Sequence, residues 1–403
     1  MEKKRVLIVG GGAGGTILAN SLDKANFDIT VIDKSTKHFF QPQLLYIAFK
    51  GESKPNMKDE RTLLKKHVKF VNSQVTEINL NERSVSTSSG TYSYDFIVIA
   101  TGIITNPNMI SGLAEVNSAF GDYHTNYGQA QKLWSSLSKF SGGTIAVGQS
   151  YPVCKCPPSP LEGAFLAEEF IRKKGIRGKT RIVFFTPYPR AYPAEGINEV
   201  VAPMMKERGI EVMTFFDVDH IDPIAKVIYS IEGDSIKYDL PVIIPPCAGV
   251  PEIKYTPDSI LDRDRLIQVD KYTSKIKGFD DAFAIGDAAA LPTSKAGVGA
   301  HLEAKVVAKI ISGEDAKFNG RTNCPFDTGY GKGTFVIGSY DEPVVKYPAT
   351  RMNLFMKHMM ARIYWGSLKG TYDFIFDAYF NMTNPEKLKK KYGTGATQNQ
   401  PSQ

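Results

Sequence analysis

The feature that most constrains this chain is a glycine-rich turn between a buried strand and a helix near its beginning. Residues 6–9 are aliphatic and do not alternate with polar residues, which is typical of a strand buried on both faces of a parallel sheet. Gly10, Gly12 and Gly15 follow in the G-x-G-x-x-G spacing, which permits a tight turn and close approach of the backbone to a pyrophosphate. Asp33 ends the next strand at the spacing typical of ribose binding. The pattern predicts an α/β dinucleotide-binding fold and does not separate FAD from NAD.

Composition and charge exclude several classes of protein. The chain has 403 residues, 42% hydrophobic and 23% charged, as in a globular protein of two or three domains. The net charge of +7 is too small to indicate a nucleic-acid partner. Four cysteines exclude a disulfide scaffold, and the spacing of Cys154 and Cys156, without a nearby histidine, predicts no metal site. The apolar runs are too short for a signal peptide or a spanning helix, so neither is expected.

Two later buried strands end in motifs that separate FAD from NAD. One strand ends at Thr101 and Gly102, and the other ends at Gly286 and Asp287. With all three motifs in order, the chain resembles the pyridine nucleotide–disulfide oxidoreductase superfamily, flavoproteins with two dinucleotide-binding domains. The resemblance implies that Asp287 contacts the ribityl chain of FAD. It also implies that two segments distant in sequence hold FAD together.

The middle of the chain lacks the second glycine fingerprint, with which that superfamily binds a nicotinamide cofactor. A strand over residues 144–147 is followed by Gly148, but Tyr151 and Pro152 then occupy positions where small residues would expose backbone amides. The next strand ends at Thr186 without a ribose-binding acid. We therefore expect a second Rossmann-like domain that keeps its fold and has lost nicotinamide binding, so that the electrons come from another donor.

A cysteine in this degenerate loop indicates the donor. Cys156 is followed by prolines and by Glu162, which resembles the active-site stretch of the sulfide:quinone oxidoreductases. Cys324 matches the second cysteine of that family, and Lys295 matches its Lys-x-Gly element. The resemblance implies that hydrosulfide opens a disulfide between the two cysteines to a persulfide. It also implies that Lys295 approaches the flavin and that Glu162 transfers a proton. Taken alone, these residues also allow structural thiols, a helix N-terminal acid and a surface lysine.

The resemblance further implies that FAD is held without a covalent bond. Members with a covalently attached flavin carry another cysteine upstream of Cys156, in a region where this chain has Tyr123 and His124. Gln43 lies in a Gln-Pro-x-Leu stretch shared with type II NADH dehydrogenases. The residues predicted to bind FAD are Gly10, Gly12, Gly15, Asp33, Gln43, Thr101, Gly102, Gly286, Asp287 and Lys295.

The C-terminal region shows two amphipathic helical patterns with a basic excess. Residues 351–392 contain eight Lys and Arg against three Asp and Glu, and their apolar residues recur every three or four positions. Such helices are typical of an interfacial membrane anchor, and a core or dimer helix has the same pattern. The residues predicted to line a quinone slot are Phe326, Tyr330, Phe335 and Phe355. The polar end, residues 393–403, is predicted to be disordered.

Together these features predict an α/β protein with two Rossmann-like domains, a discontinuous FAD domain and C-terminal amphipathic helices. The expected division is residues 1–110 and 240–325 for FAD, 111–239 for the second domain with Cys156, and 326–392 for quinone and membrane binding. The expected enzyme is peripheral to the cell membrane, oxidises sulfide to polysulfide or sulfur and reduces a quinone. Its oligomeric state is left open. The alternatives are a type II NADH:quinone dehydrogenase, a soluble flavocytochrome-type sulfide dehydrogenase and a non-catalytic flavin redox sensor.

Overall fold

The structure, a computed structural model, describes residues 2–395, and residues 396–403 of the predicted disordered tail lie outside this range. The helices are α1 (Ala13–Ser21), α2 (Gln43–Lys50), α3 (Leu113–Phe120), α4 (Tyr127–Lys139), α5 (Ser159–Lys173), α6 (Glu195–Glu207), α7 (Gly297–Ile311), α8 (Arg351–Ser367), α9 (Asp373–Met382) and α10 (Pro385–Tyr392). The strands are β1 (Lys4–Val9), β2 (Phe27–Asp33), β3 (Lys37–Phe39), β4 (Met57–Asp59), β5 (Lys69–Asn72), β6 (Val75–Asn79), β7 (Ser84–Thr87), β8 (Gly90–Ser93), β9 (Phe96–Ile99), β10 (Ile104–Thr105), β11 (Gly143–Gln149), β12 (Thr180–Phe185), β13 (Ile210–Met213), β14 (Val218–Asp222), β15 (Val227–Ser230), β16 (Ser235–Lys237), β17 (Leu240–Ile244), β18 (Cys247–Ala248), β19 (Lys254–Thr256), β20 (Ala282–Ala284), β21 (Thr322–Asp327) and β22 (Gly333–Gly338).

A five-stranded parallel sheet begins with the strand that precedes the glycine turn. Its order is β20-β9-β1-β2-β5, so strand β20 joins strands that precede it by almost two hundred residues. The central strands are buried on both faces, as their unbroken aliphatic runs predict. Because all five strands run parallel, their carboxyl ends meet at one edge, where open α/β sheets bind ligands.

A second parallel sheet, of order β13-β12-β11-β17, is formed by the middle of the chain. A short antiparallel ladder of β10 and β18 connects the two sheets at Thr105 and Cys247. The predicted fold class, two Rossmann-like units with C-terminal helices, is confirmed. Helix α1 begins at Ala13, so the last residues of the glycine run themselves adopt helical conformation.

The C-terminal region consists of a hairpin and three helices. Strands β21 and β22 pair antiparallel, with Cys324 opposite Val336, and helix α8 packs on both strands. The two predicted amphipathic patterns form α8 and α9. Within residues 2–395, no helix is both long and apolar enough to cross a membrane.

Candidate functional site

A cavity of about 640 Å³ lies where the carboxyl ends of the first sheet face the loop after β11 and helix α8. The glycine turn, Asp33, Asp287 and both Cys156 and Cys324 line this cavity. Residues from all the predicted motifs therefore meet in one place, although they are spread over most of the chain.

The glycine turn has the geometry that its spacing predicts. Gly10 has a φ of +107°, in the region that favours glycine, and a Cβ there would lie 2.4 Å from the carbonyl oxygen of Ala100. A Cβ on Gly15 would lie 2.0 Å from the carbonyl oxygen of Gly10, so only glycine lets α1 pack this closely on the turn. The carboxylate of Asp33 accepts hydrogen bonds from the amides of Gly11 and Ser35, both at 2.7 Å.

The two predicted redox cysteines lie side by side. Cys156 belongs to the turn before α5, where its φ is +51°, and its amide donates to the carbonyl of Lys295 at 2.8 Å. Cys324 lies on β21, 168 positions later, and the two Sγ atoms are 3.9 Å apart. Neither forms a disulfide in this structure. The hydrogen bond to Cys324 and burial raise the pKa of the Cys156 thiol well above its ordinary value.

Glu162, in the first turn of α5, is paired with a residue that the sequence did not single out. Its Oε1 contacts the ammonium of Lys357 on α8 and accepts from the amide of Asp327 at 2.6 Å. Burial raises the pKa of the Glu162 carboxyl. Burial lowers the pKa of Lys357, but the charge and hydrogen bond of Glu162, together with Tyr46 and Asp327, outweigh burial and the pKa is raised. Lys50 donates to Asp327 Oδ2 at 3.1 Å, so charged groups extend from the cysteine wall towards the surface.

Lys295 and Asp287 line the part of the cavity beside α7. The Lys295 ammonium donates to the carbonyl of Ala289, and burial lowers its pKa. Burial raises the pKa of the Asp287 carboxyl, against the charges of Lys295 and Lys155. An acid and a lysine that share a buried cavity wall fit a polar ligand better than an apolar one.

The structure does not bring Gln43 to the cavity. Its side-chain amide instead donates to Glu52 Oε2 and to the carbonyl of Lys54, both at 2.9 Å, and its oxygen accepts from the amide of Asn56 at 2.6 Å. Gln43 therefore braces the loop after α2, and its neighbours Pro42 and Leu44 line the cavity.

The four aromatic residues predicted to line a quinone slot do not line this cavity. Phe326 and Phe335 are packed inside the core of the β21–β22 hairpin region, and the Tyr330 hydroxyl donates to Glu168 Oε2 at 2.8 Å. Phe355 faces outward and is 56% exposed. The aromatic side chains that line the cavity instead are Phe39, Phe40, Tyr46, Tyr123, Tyr364, Phe376 and Phe380. The spacing of aromatic residues in the sequence does not tell which face of an element meets the cavity.

Two tyrosine side chains form hydrogen bonds at the loop after β11, which is the loop where a nicotinamide cofactor would meet the second sheet. The Tyr151 hydroxyl donates to Asp264 Oδ1 at 2.9 Å, and the Tyr188 hydroxyl donates to the carbonyl of Pro152 at 3.1 Å. Gly148 packs on β12, since a Cβ there would lie 2.3 Å from the carbonyl oxygen of Phe185. This glycine is used for strand packing, and the loop after it is tied by hydrogen bonds to Asp264 and to Tyr188, which follows β12.

Comparison with known proteins identifies the class. A family model described as pyridine nucleotide-disulphide oxidoreductase matches residues 4–304. The chain belongs to this family, and its cofactor is FAD.

Three known proteins resemble this chain over most of its length. The mitochondrial sulfide:quinone oxidoreductase of Dictyostelium discoideum is 29% identical over 396 residues, which cover 91% of this chain and 86% of that protein. The type II NADH:quinone oxidoreductase of Staphylococcus haemolyticus is 25% identical over 72% of this chain and 75% of its own length. The crystal structure of sulfide:quinone oxidoreductase from Aquifex aeolicus has a TM-score of 0.82 and 20% identity, covering 95% of this chain and 96% of that one, which shows the shared fold.

The residues present fit FAD. A Cβ added to Gly12, Gly102 or Gly297 would meet no protein atom within 4 Å, so three glycines leave open space around the cavity. Thr101, Asp33 and Asp287 supply polar groups at the ends of three different strands. This arrangement suits a long ligand that carries a pyrophosphate and several hydroxyl groups.

Proposed function

We propose that the protein is a membrane-associated sulfide:quinone oxidoreductase, with Cys156 and Cys324 as its redox pair. The observation that carries this proposal is the 3.9 Å separation of their sulfurs in the wall of the dinucleotide cavity. A disulfide between them would bring the sulfurs to a bond length of about 2.05 Å. In the proposed division, residues 1–110 and 240–325 hold FAD, 111–239 carry Cys156, and 326–392 meet quinone and membrane.

The chemistry balances with these two thiols. Hydrosulfide attacks one sulfur of the Cys156–Cys324 disulfide, the S–S bond breaks, one cysteine becomes a persulfide and the other leaves as a thiolate. A second hydrosulfide removes the outer sulfur as a two-sulfur polysulfide anion and leaves a thiol. When bound, FAD would be held by the glycine turn, Asp33 and Asp287, and it would supply the acceptor for the two electrons released as the pair returns to the disulfide, with a quinone as the final acceptor.

Glu162 and Lys357 are placed to manage the protons of this cycle. Return to the disulfide releases a proton beside the cysteines, and quinone reduction consumes two. The Glu162 carboxylate holds a buried ammonium at Oε1, and Asp327 connects this pair to Lys50, whose side chain reaches the surface. Groups that are buried, charged and connected to solvent are suited to hold and move a proton.

The loop after β11 favours sulfide over NADH as the electron donor. A second dinucleotide would need backbone amides and space at this loop. Tyr151 and Tyr188 occupy the loop through their hydrogen bonds to Asp264 and Pro152, and Pro152 has no amide hydrogen.

Exposed apolar side chains on the C-terminal helices support membrane association. Met352, Phe355, Phe374 and Met382 are each more than half exposed. Large exposed apolar side chains in a region with a basic excess are typical of a helix that lies in a membrane interface, where a lipid-soluble quinone is available.

Anaerobic mixing tests the proposed donor. Sulfide is expected to bleach the flavin absorbance of the holoenzyme, and NADH is expected to leave it unchanged. Cys156→Ser and Cys324→Ser should each abolish bleaching by sulfide while FAD remains bound. Cys247→Ser, which alters a buried thiol outside the cavity wall, is the matched control and should bleach normally. Bleaching by NADH, or bleaching by sulfide in both cysteine variants, would contradict the proposal.

A further inference from the structure

A chain of buried hydrogen bonds connects the glycine turn to the C-terminal helix α8. Nδ1 of His38, on β3, lies 3.1 Å from the carbonyl oxygen of Gly11 and 2.8 Å from Glu60 Oε2. Its Nε2 lies 2.7 Å from the hydroxyl of Tyr364, on α8. His38 and Glu60 are only 6% and 2% exposed, so water does not substitute for these partners.

The partners of Nδ1 fix the direction of its hydrogen bonds. Gly11 and Glu60 both offer acceptors to Nδ1, so Nδ1 carries a hydrogen. Nε2 shares its hydrogen bond with the Tyr364 hydroxyl, which can act as donor or as acceptor. The chain therefore runs from the Tyr364 hydroxyl through the imidazole of His38 to the backbone of Gly11.

Both the backbone amide and the backbone carbonyl of Gly11 form hydrogen bonds. Its amide donates to Asp33 Oδ2 at 2.7 Å, and its carbonyl accepts from His38 and from the Thr16 hydroxyl, which lies 3.1 Å away. Thr16 also contacts Glu60 Oε1, which closes the network. Gly11 lines the FAD cavity together with its neighbours Gly10 and Gly12, so its position sets the shape of the turn that receives the pyrophosphate.

We propose that His38 and Tyr364 are positioning residues that make the retention of FAD depend on the docking of helix α8. Movement of α8 away from the body removes the hydrogen-bond partner of Nε2 and leaves a buried ring nitrogen unpaired, which loosens the hold on Gly11. Because coupling between two binding events is reciprocal, bound FAD in turn holds α8 in place. The helix that carries exposed Met352 and Phe355 is thereby linked to the cofactor.

Tyr364→Phe tests this link in the holoenzyme, because it removes only the hydroxyl and keeps the ring. FAD release, followed by the rise in flavin fluorescence after dilution, is expected to be about tenfold faster, the equivalent of about 1.4 kcal/mol. Amide hydrogens of residues 10–16 and of α8 should exchange faster together. An unchanged release rate with unchanged exchange at residues 10–16 would overturn the proposal.

Two further variants separate coupling from a general loss of packing. Tyr379→Phe on α9 removes a hydroxyl that donates to Asn323 Oδ1 at 2.7 Å, and it should leave FAD release and exchange at residues 10–16 unchanged. His38→Asn keeps an amide donor near Nδ1 but does not reach Tyr364. The double variant His38→Asn, Tyr364→Phe should release FAD no faster than His38→Asn alone. Multiplied effects in the double variant, or faster release in Tyr379→Phe, would show that no specific chain exists.

Discussion

Breaking the buried Glu162–Lys357 ion pair should lower the free energy of unfolding by an amount that follows from its burial. Lys357→Met keeps the length of the side chain and removes the ammonium, so the Glu162 carboxylate stays almost fully buried with only the amide of Asp327 as a close donor. Removing one partner of such a pair costs about 3–5 kcal/mol of folding free energy. The measurement is the urea midpoint of unfolding at pH 8. The exposed pair of Lys173 with Glu169 provides the control, because Lys173→Met should cost less than about 1 kcal/mol.

The loss of stability in Lys357→Met should grow as the pH rises. Burial raises the pKa of Glu162 in the folded protein, and without Lys357 only the hydrogen bond from the Asp327 amide offsets that burial. A carboxyl whose folded pKa lies above its unfolded value of about 4.3 contributes stability below that value and loses it as the pH rises. The deficit of Lys357→Met should therefore be largest at pH 8 and shrink towards pH 5. Glu162→Gln with Lys357→Met removes both charges and should recover most of the loss. A deficit that is equal at both pH values, or that is unchanged in the double variant, would refute this reasoning.

Two further predictions concern α7 and the C-terminal helices. Glu303 accepts a hydrogen bond from the Gly286 amide at 2.7 Å, and burial raises its pKa to about 7. The stability of the wild type, measured by urea unfolding, should therefore fall by about 3 kcal/mol between pH 4.5 and 8 relative to Glu303→Gln. Parallel pH profiles of the two proteins would contradict this. Phe374→Ser should weaken sedimentation with anionic liposomes severalfold, because it removes an apolar side chain that is 70% exposed. Ile224→Ser, on the β14–β15 hairpin, is the control and should not weaken it. Equal binding by both variants would count against membrane association through the C-terminal helices.

Local sequence patterns predicted the first sheet because the glycine spacing and the aliphatic strands are properties of neighbouring residues. Gly10, Gly15 and Asp33 lie in the positions that their spacing predicts. The closeness of Cys156 and Cys324 has no local signal, since 168 positions separate them. That pairing followed from resemblance to a family, and the fold brings the two sulfurs together.

Lys357 was missed because a lysine in an amphipathic pattern indicates a solvated face. Only the packing of α8 on the β21–β22 hairpin brings its ammonium to Glu162. His38 was missed for a related reason, since its three partners come from the glycine turn, from the segment after β4 and from α8. The only available signal was its position between a dinucleotide motif and two phenylalanines.

The most direct test is mass spectrometry of the holoenzyme mixed with one equivalent of sulfide under anaerobic conditions and without quinone, because a second equivalent would remove the additional sulfur. Peptides containing Cys156 and Cys324 are expected to carry additional sulfur, either as a persulfide on one of them or as a bridge between both. A reduced flavin together with unmodified thiols at both positions would contradict the claim that this pair receives sulfide.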